Sequence, residues 1–261
     1  MFIFLKIEII CYLKKYLTSS FLYVIMQIQK KRYIFITDTY NDWRLYFMCR
    51  LAMMNNAGIR HIEENYGLDN LFNYLEEQLG GHGNGICFIY NNGSYFIRKG
   101  VKLSNEEIAE EVLMKINHLK WIIYHTRLAS IGSISDKNCH PFNNEGRVMA
   151  MNGTERNYSI ADKNLTDTEN ILITTNNITK DTRKYRSVFL GYENGKVFAN
   201  RNCGSLQYIP CKNNGRIFAS SFPTEFYTRE TVYEAPEHFI EGVKMEPLEM
   251  AKRKYNVYGI Y

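Results

Sequence analysis

A mixed α+β domain rich in antiparallel sheet is the fold class this sequence predicts, and three observations carry it. Apolar runs flank Asn-Gly turns in residues 86–90 and 95–98 around Asn91-Asn92-Gly93-Ser94, in 187–192 and 196–200 around Asn194-Gly195, and in 206–209 and 216–219 around Asn214-Gly215. Asn-Gly between such runs is a strong hairpin signal, because both residues tolerate the positive φ of the tight turn. Ser104-Asn105-Glu106-Glu107 reads as a capping box, and Thr166-Asp167-Thr168-Glu169 as a good N-cap followed by acidic residues; each opens a helix between the strand signals. No internal repeat or low-complexity tract stands out, and the hairpins with the intervening helices give a mixed α+β class with much antiparallel sheet.

Taken in order, the elements follow from the same logic. Apolar residues Ile62, Tyr66, Leu71, Leu75 and Leu79 recur at roughly helical spacing and predict a helix over 59–79, ended by Gly80-Gly81. The first hairpin and the Ser104 helix, running to about Asn117, come next. Residues 121–125 read as a buried strand that delivers His125-Thr126-Arg127 at its end, and 147–151 as a short strand stopping at Asn152-Gly153. A helix from about Asp167 and the two later hairpins complete the reading.

Composition bounds the function. The chain has 261 residues, 45% of them apolar and 14% aromatic, ample for a packed core. Its 32 Lys and Arg and 27 Asp and Glu are interspersed, giving a net charge of +5 without a basic stripe, so no nucleic-acid partner is expected. Charged residues break the apolar pieces near the N-terminus, and none approaches the ~18 to 20 residues of a membrane helix; no membrane association is expected. The six cysteines follow neither a disulfide framework nor a zinc spacing, and no HxH or HExxH occurs; reduced thiols in a cytoplasmic protein, with no metal and no cofactor, are expected.

Residues 1–47 contain neither Gly nor Pro, the residues that punctuate folded domains. They are read as an extension outside the fold, with 48–261 as the domain. Three accounts of the extension stay open: a start site placed too early, a propeptide, or a retained segment.

Cys49 follows Met48 directly. Cysteine is ordinarily a small buried hydrophobe, but removal of an initiator Met48 would leave Cys49 with a free α-amine. That amine, with an unperturbed pKa of about 7.7 to 8.0, can accept the thiol proton near neutral pH.

Downstream, His125-Thr126-Arg127-Leu128-Ala129-Ser130-Ile131-Gly132, His140-Pro141-Phe142, Asn152-Gly153 and Thr166-Asp167-Thr168-Glu169 stand in order. This ordered set resembles the signature of the class II glutamine amidotransferases, which are N-terminal-nucleophile (Ntn) hydrolases, over about 49–171. Phe218-Ala219-Ser220-Ser221 and Tyr233-Glu234-Ala235-Pro236 add a weaker likeness. The resemblance implies a four-layer αββα sandwich with two packed antiparallel sheets, and L-glutamine as substrate.

It implies site roles as well. Cys49 would be the nucleophile, attacking the glutamine side-chain amide to give a γ-glutamyl thioester, glutamate and ammonia. Arg127 would clamp the substrate α-carboxylate, for which its planar fork is suited, and Asp167 would pair with the α-ammonium. The Asn152 side chain and the Gly153 N–H would form the oxyanion hole. Ser130, in place of the more common Thr, is a secondary substrate-binding candidate. His125 is expected to pack or hydrogen-bond at a strand end, and the glycine-rich 80–85 segment to wall the site. Leu128, Ser130 and Met151 depart from the usual residues, and only 12 residues separate Gly153 from Thr166. About 40 residues follow Pro223, so no second catalytic domain is expected; a stand-alone amidotransferase domain or a glutaminase-like hydrolase is, with the ammonia acceptor open and a separate synthetase or transferase one candidate partner. Hydrolysis of a γ-glutamyl peptide or another amide, and a non-catalytic binding protein that kept the fold, are the alternatives.

Overall fold

The computed structural model describes residues 49–157 and 165–243; the extension assigned to 1–47 lies outside them. In chain order the described elements are β1 (Arg50–Asn55), α1 (Asn56–Asn65), α2 (Leu68–Leu79), β2 (Asn84–Tyr90), β3 (Tyr95–Gly100), α3 (Asn105–Lys115), β4 (Leu119–Thr126), β5 (Phe142–Asn144), β6 (Arg147–Asn152), α4 (Asp167–Thr174), α5 (Ile178–Asp181), β7 (Val188–Glu193), β8 (Lys196–Arg201), β9 (Gln207–Cys211), β10 (Gly215–Ala219), α6 (Thr224–Arg229), β11 (Tyr233–Glu234) and β12 (His238–Ile240). Two antiparallel sheets contain the strands. One is seven-stranded, in the order β11-β9-β10-β1-β4-β2-β3, and the other five-stranded, in the order β12-β8-β7-β6-β5.

Strand alternation builds the layers. Successive side chains on a strand point to opposite faces, and in the larger sheet Ala52, Met54, Ile86, Phe88, Ile122 and Tyr124 face a helical layer containing Ile59, Ile62, Leu71, Leu75, Ile108 and Val112. Their neighbours Leu51, Met53, Cys87, Ile89, Trp121 and Ile123 meet Val148, Ala150, Val188, Leu190, Val197 and Ala199 of the smaller sheet. The opposite face of that sheet, with Met149, Met151, Phe189 and Phe198, packs on Ile171, Leu172 and Ile178 of α4 and α5. Each Val, Leu, Ile, Met or Phe side chain among these, taken fully out of water, contributes about 1.5 to 3 kcal/mol. The architecture is a helix–sheet–sheet–helix sandwich.

All three hairpins stand where their Asn-Gly turns predict, and the Ser104 capping box is formed in both directions, its helix giving way to a 3₁₀ turn over Ile116–His118. The 59–79 helix is corrected: it starts earlier and is two helices. Gly67 takes φ +80, and the N–H groups of Tyr66 and Gly67 both turn back to the Ile62 carbonyl, an αL-type stop that a glycine accepts without a Cβ penalty. Apolar spacing alone cannot register that stop, because both helices bury the same side. β1, α5, α6, β5, β11 and β12 are elements without a sequence expectation. β1 is the central one, since it pairs with both β10 and β4.

Candidate active site

The register of β1 against β4 sets the site. Arg50 pairs with Thr126 and Leu51 with His125, so Cys49, one residue before the strand, falls beside the residues that follow β4. There the Leu128 N–H donates to Cys49 Sγ at 3.2 Å, and the thiol lies 3.5 Å from the Leu128 carbonyl. Cys49 is 7% exposed. Burial pushes its thiol pKa above the usual value, while the Leu128 N–H and the Arg127 charge pull it down. A buried, neutral thiol needs a base at hand to become a nucleophile.

Arg127 leaves β4 with its backbone held by the glycine-rich loop: its N–H donates to the Gly83 carbonyl at 2.8 Å, and its carbonyl accepts from His82 at 2.9 Å. Two of its five guanidinium donors reach the Ser133 and Ile131 carbonyls, at 2.8 and 2.6 Å, which ties the 128–133 loop to the guanidinium and leaves three donors uncommitted among the described residues. Burial lowers its pKa, partly offset by Cys49, Cys139, Asp167 and Glu169 around it.

Asp167 comes from the other helical layer. Thr166 Oγ1 accepts from the Glu169 N–H, and Glu169 Oε2 accepts from the Thr166 N–H, a capping box that sets Asp167 in the first turn of α4. Its carboxylate accepts from the N–H groups of Glu155 (2.8 Å) and Thr168 (3.0 Å). Burial raises its pKa and these backbone donors oppose the rise. Through Glu155, Asp167 also anchors the loop that follows Asn152. The same loop is fastened by Glu155 Oε1, which accepts from Ser187 Oγ, and by the pairing of Ser130 Oγ with Thr154 Oγ1 at 2.9 Å.

Asn152 ends β6 and is 1% exposed; its Nδ2 donates to Ser220 Oγ at 3.4 Å. Gly153 has φ +147, and a Cβ there would stand 2.2 Å from Ser187 Oγ. A glycine at 153 is therefore required by backbone conformation and by Ser187, beyond any need for substrate to approach closely. His125 is fully buried, and its Nε2–H donates to the Met151 carbonyl at 3.1 Å, with His140 Nδ1 2.9 Å from the same nitrogen. Burial, with Arg127 and Lys99, holds His125 down to about 3, and burial, then His125, Arg127 and Lys99, holds His140 well below the ordinary histidine value. Both rings are neutral near pH 7, and the pair stitches β4 to β6 between the sheets.

No family model matches the chain, and no curated protein matches it in sequence. Among solved structures it is similar to glutamine phosphoribosylpyrophosphate amidotransferase from B. subtilis, complexed with ADP and GMP, at 16% identity and a TM-score of 0.50, covering 74% of this chain and 47% of that one. The fold is that of the Ntn hydrolases. The chain spans about half the length of the B. subtilis enzyme. It is also similar to a glutamine aminotransferase class-II domain protein from Silicibacter pomeroyi, at 14% identity, TM-score 0.41, covering 66% of this chain and 88% of that one. A third similar structure is an allosteric regulatory enzyme of purine biosynthesis, at 16% identity, TM-score 0.47, covering 76% and 50%.

Within this Ntn-type sandwich the expected residues converge at one pole. Cys49 lies within electrostatic reach of Arg127 and Asp167, Asn152 reaches β1 through Ser220, and Ser130 faces the Thr154 hydroxyl rather than standing alone. Three contributors had no site role in the sequence reading. The Leu128 N–H leaves no sequence signal, since any residue but proline supplies it. His82 accepts from the Ala129 N–H at 2.9 Å, and its only signal is its place in the glycine-rich loop. Ser220 sits in the weakly matching Phe218–Ser221 stretch. Among the described residues no cluster of three or more His, Cys, Asp or Glu suits a metal ion, and no helix is long and apolar enough to cross a membrane.

Proposed function

We propose that the domain from residue 48 onward hydrolyses the side-chain amide of L-glutamine, with Cys49 as nucleophile and its own α-amine as base once the Met48–Cys49 bond is absent. The observation that supports this best is the seat of Cys49 Sγ on the Leu128 N–H, directly after Arg127, at the pole of an Ntn-type sandwich where Asp167 holds the loop that follows Asn152. The amine takes the thiol proton, and the thiolate attacks the amide carbon. The tetrahedral oxyanion is held by the Asn152 side-chain N–H and the Gly153 N–H. The C–N bond then breaks, ammonia leaves with the proton returned from the ammonium, and the γ-glutamyl thioester is hydrolysed by water to glutamate. The uncommitted Arg127 donors hold the α-carboxylate, Asp167 holds the α-ammonium, and Ser130 lines the same loop. Ammonia passes to a partner synthetase or transferase, and the compartment in this reading is the cytoplasm.

Protein beginning at Cys49 is expected to release glutamate from glutamine and to be alkylated at Cys49 by a glutamine-derived chloroketone. Cys49→Ala and a form retaining Met48 are expected to lose at least about 10⁴-fold in rate, the scale of losing an activated nucleophile. Folded protein that starts at Cys49 yet is neither labelled there nor active on glutamine overturns the proposal. Activity on γ-glutamyl peptides but not on free glutamine would redirect it to peptide hydrolysis.

A further inference from the structure

We propose that Ser220 is a positioning residue that fixes which end of the Asn152 amide faces the nucleophile strand, an inference that rests on Asn152 serving as the oxyanion donor. Ser220 follows β10 and is 2% exposed, and Asn152 approaches it from the other sheet. The Ser220 N–H donates to the Leu51 carbonyl at 2.9 Å. Its hydroxyl makes three contacts: Oγ accepts from the Leu51 N–H at 3.0 Å, donates to the Leu51 carbonyl at 3.3 Å, and accepts from Asn152 Nδ2 at 3.4 Å.

A serine hydroxyl has one proton and two lone pairs, and here all three are committed. The proton is on the Leu51 carbonyl, one lone pair on the Leu51 N–H, and the second faces Asn152. Ser220 therefore has no proton to offer Asn152, and only the NH₂ end of that amide makes a favourable contact. The carbonyl end would set two acceptors against each other in a buried site, where an unmade hydrogen bond costs about 1 to 3 kcal/mol. With one Nδ2 hydrogen bound to Ser220, the second is available to an oxyanion. The flipped amide would present a carbonyl oxygen to that negative charge. Ser220 also bonds both backbone groups of Leu51, two residues from Cys49, so one side chain couples the nucleophile strand to the oxyanion amide across the two sheets.

The test uses protein beginning at Cys49 in four forms: wild type, Ser220→Ala, Asn152→Ala and the double variant. Ser220→Ala is expected to lower kcat about tenfold with KM within about twofold, less than the 10² to 10³ typical of removing an oxyanion donor outright. The double variant is expected to be no slower than Asn152→Ala alone, since Ser220 acts only through that amide. With ¹⁵N-asparagine labelling, the Asn152 side-chain NH₂ signals, identified by their loss in Asn152→Ala, are expected to shift or broaden in Ser220→Ala. Ser220→Cys, which conserves shape and offers a weaker acceptor, is expected to move rate and spectrum in the same direction if the alanine variant does not fold.

Equal slowing in the wild-type and Asn152→Ala backgrounds overturns the inference, as do unmoved NH₂ signals. If wild-type protein releases no glutamate, the glutamine reading fails, while the NH₂ signals still decide whether Ser220 orients Asn152.

Discussion

The two poles of the sandwich treat their polar side chains in opposite ways. At the pole away from Cys49, Asn55 Oδ1 accepts from the N–H groups of Gly58 and Arg216, and its Nδ2 donates to the Asn214 carbonyl. Trp121 Nε1 and Lys120 Nζ share the Glu241 carboxylate. At the Cys49 pole, Asn84 Oδ1, His125 Nδ1, Asn138 Oδ1, Asn152 Oδ1 and Thr168 Oγ1 are buried without a protein partner among the described residues. A buried polar atom without a partner costs about 1 to 3 kcal/mol, and natural proteins accept such violations chiefly at functional sites. One pole is thus built for stability and the other holds donors and acceptors in reserve.

The largest measurable difference between them is in pH dependence. His125 and His140 carry folded-state pKa values depressed by burial and by the facing charges Arg127 and Lys99, His125 to about 3. A lowered base binds more protons unfolded than folded, so stability is intact above the unfolded value near 6.5 and is lost as pH falls from there toward the folded value. Each such proton contributes about 1.4 kcal/mol per pH unit, and the pair up to about 2.7. Asp167, whose pKa is raised by burial, opposes this, since folding then favours its protonated form in the window above 3.8. Denaturant titrations at pH 7, 6 and 5 should give a steep fall in unfolding free energy that His125→Gln or His140→Asn each reduces by about half. Unchanged slopes in both variants would mean that the histidines titrate freely and that the site pole is not under-satisfied in this way.

Legibility in the sequence divides along similar lines. Hairpins, capping boxes and strand ends were readable because each rests on chemistry local in the chain: Asn-Gly turns, Ser104 with Glu107, and Thr166 with Asp167. The site residues that project from such elements, Arg127, Asn152 and Asp167, could therefore be placed on strand or helix ends. β1 could not be read, because Leu51-Ala52-Met53-Met54 is buried on both faces and shows no alternation; only its partners β4 and β10 make it a strand. Ser220 and the Leu128 N–H were missed for a related reason. Their roles come from register between distant strands, with Leu51 and Ser220 separated by 169 residues.

At the stability pole, Asn55 joins three segments: it caps α1, holds the start of β10 and fastens the β9–β10 turn. Asn55→Ala removes all three hydrogen bonds. Loss of the cap alone costs about 1 kcal/mol, and the stranded Arg216 N–H brings the expected loss to about 2 kcal/mol. Unfolding should show this loss in full, while kcat/KM for glutamine stays within about twofold under conditions where the variant is folded. A large fall in kcat/KM in the folded variant would break the separation of the poles.

The smallest effect, and the one that most directly questions the reserve, is expected at Thr168. It is fully buried in the first turn of α4, next to Asp167, and its Oγ1 has no partner among the described residues. Valine has nearly the same shape, so Thr168→Val exchanges an unsatisfied hydroxyl for a methyl without opening a cavity. Burying a hydroxyl that makes no hydrogen bond costs about 1 to 3 kcal/mol by mutational measures, while valine and threonine have similar helix propensities. The expected outcome is an unfolding free energy raised by about 1 kcal/mol, read from denaturant midpoints at unchanged slope. A comparable destabilisation would mean that the folded protein satisfies this hydroxyl. Thr168 would then leave the reserve, and the contrast between the poles would rest on the acceptors of Asn84, Asn138 and Asn152 and the Nδ1 atom of His125.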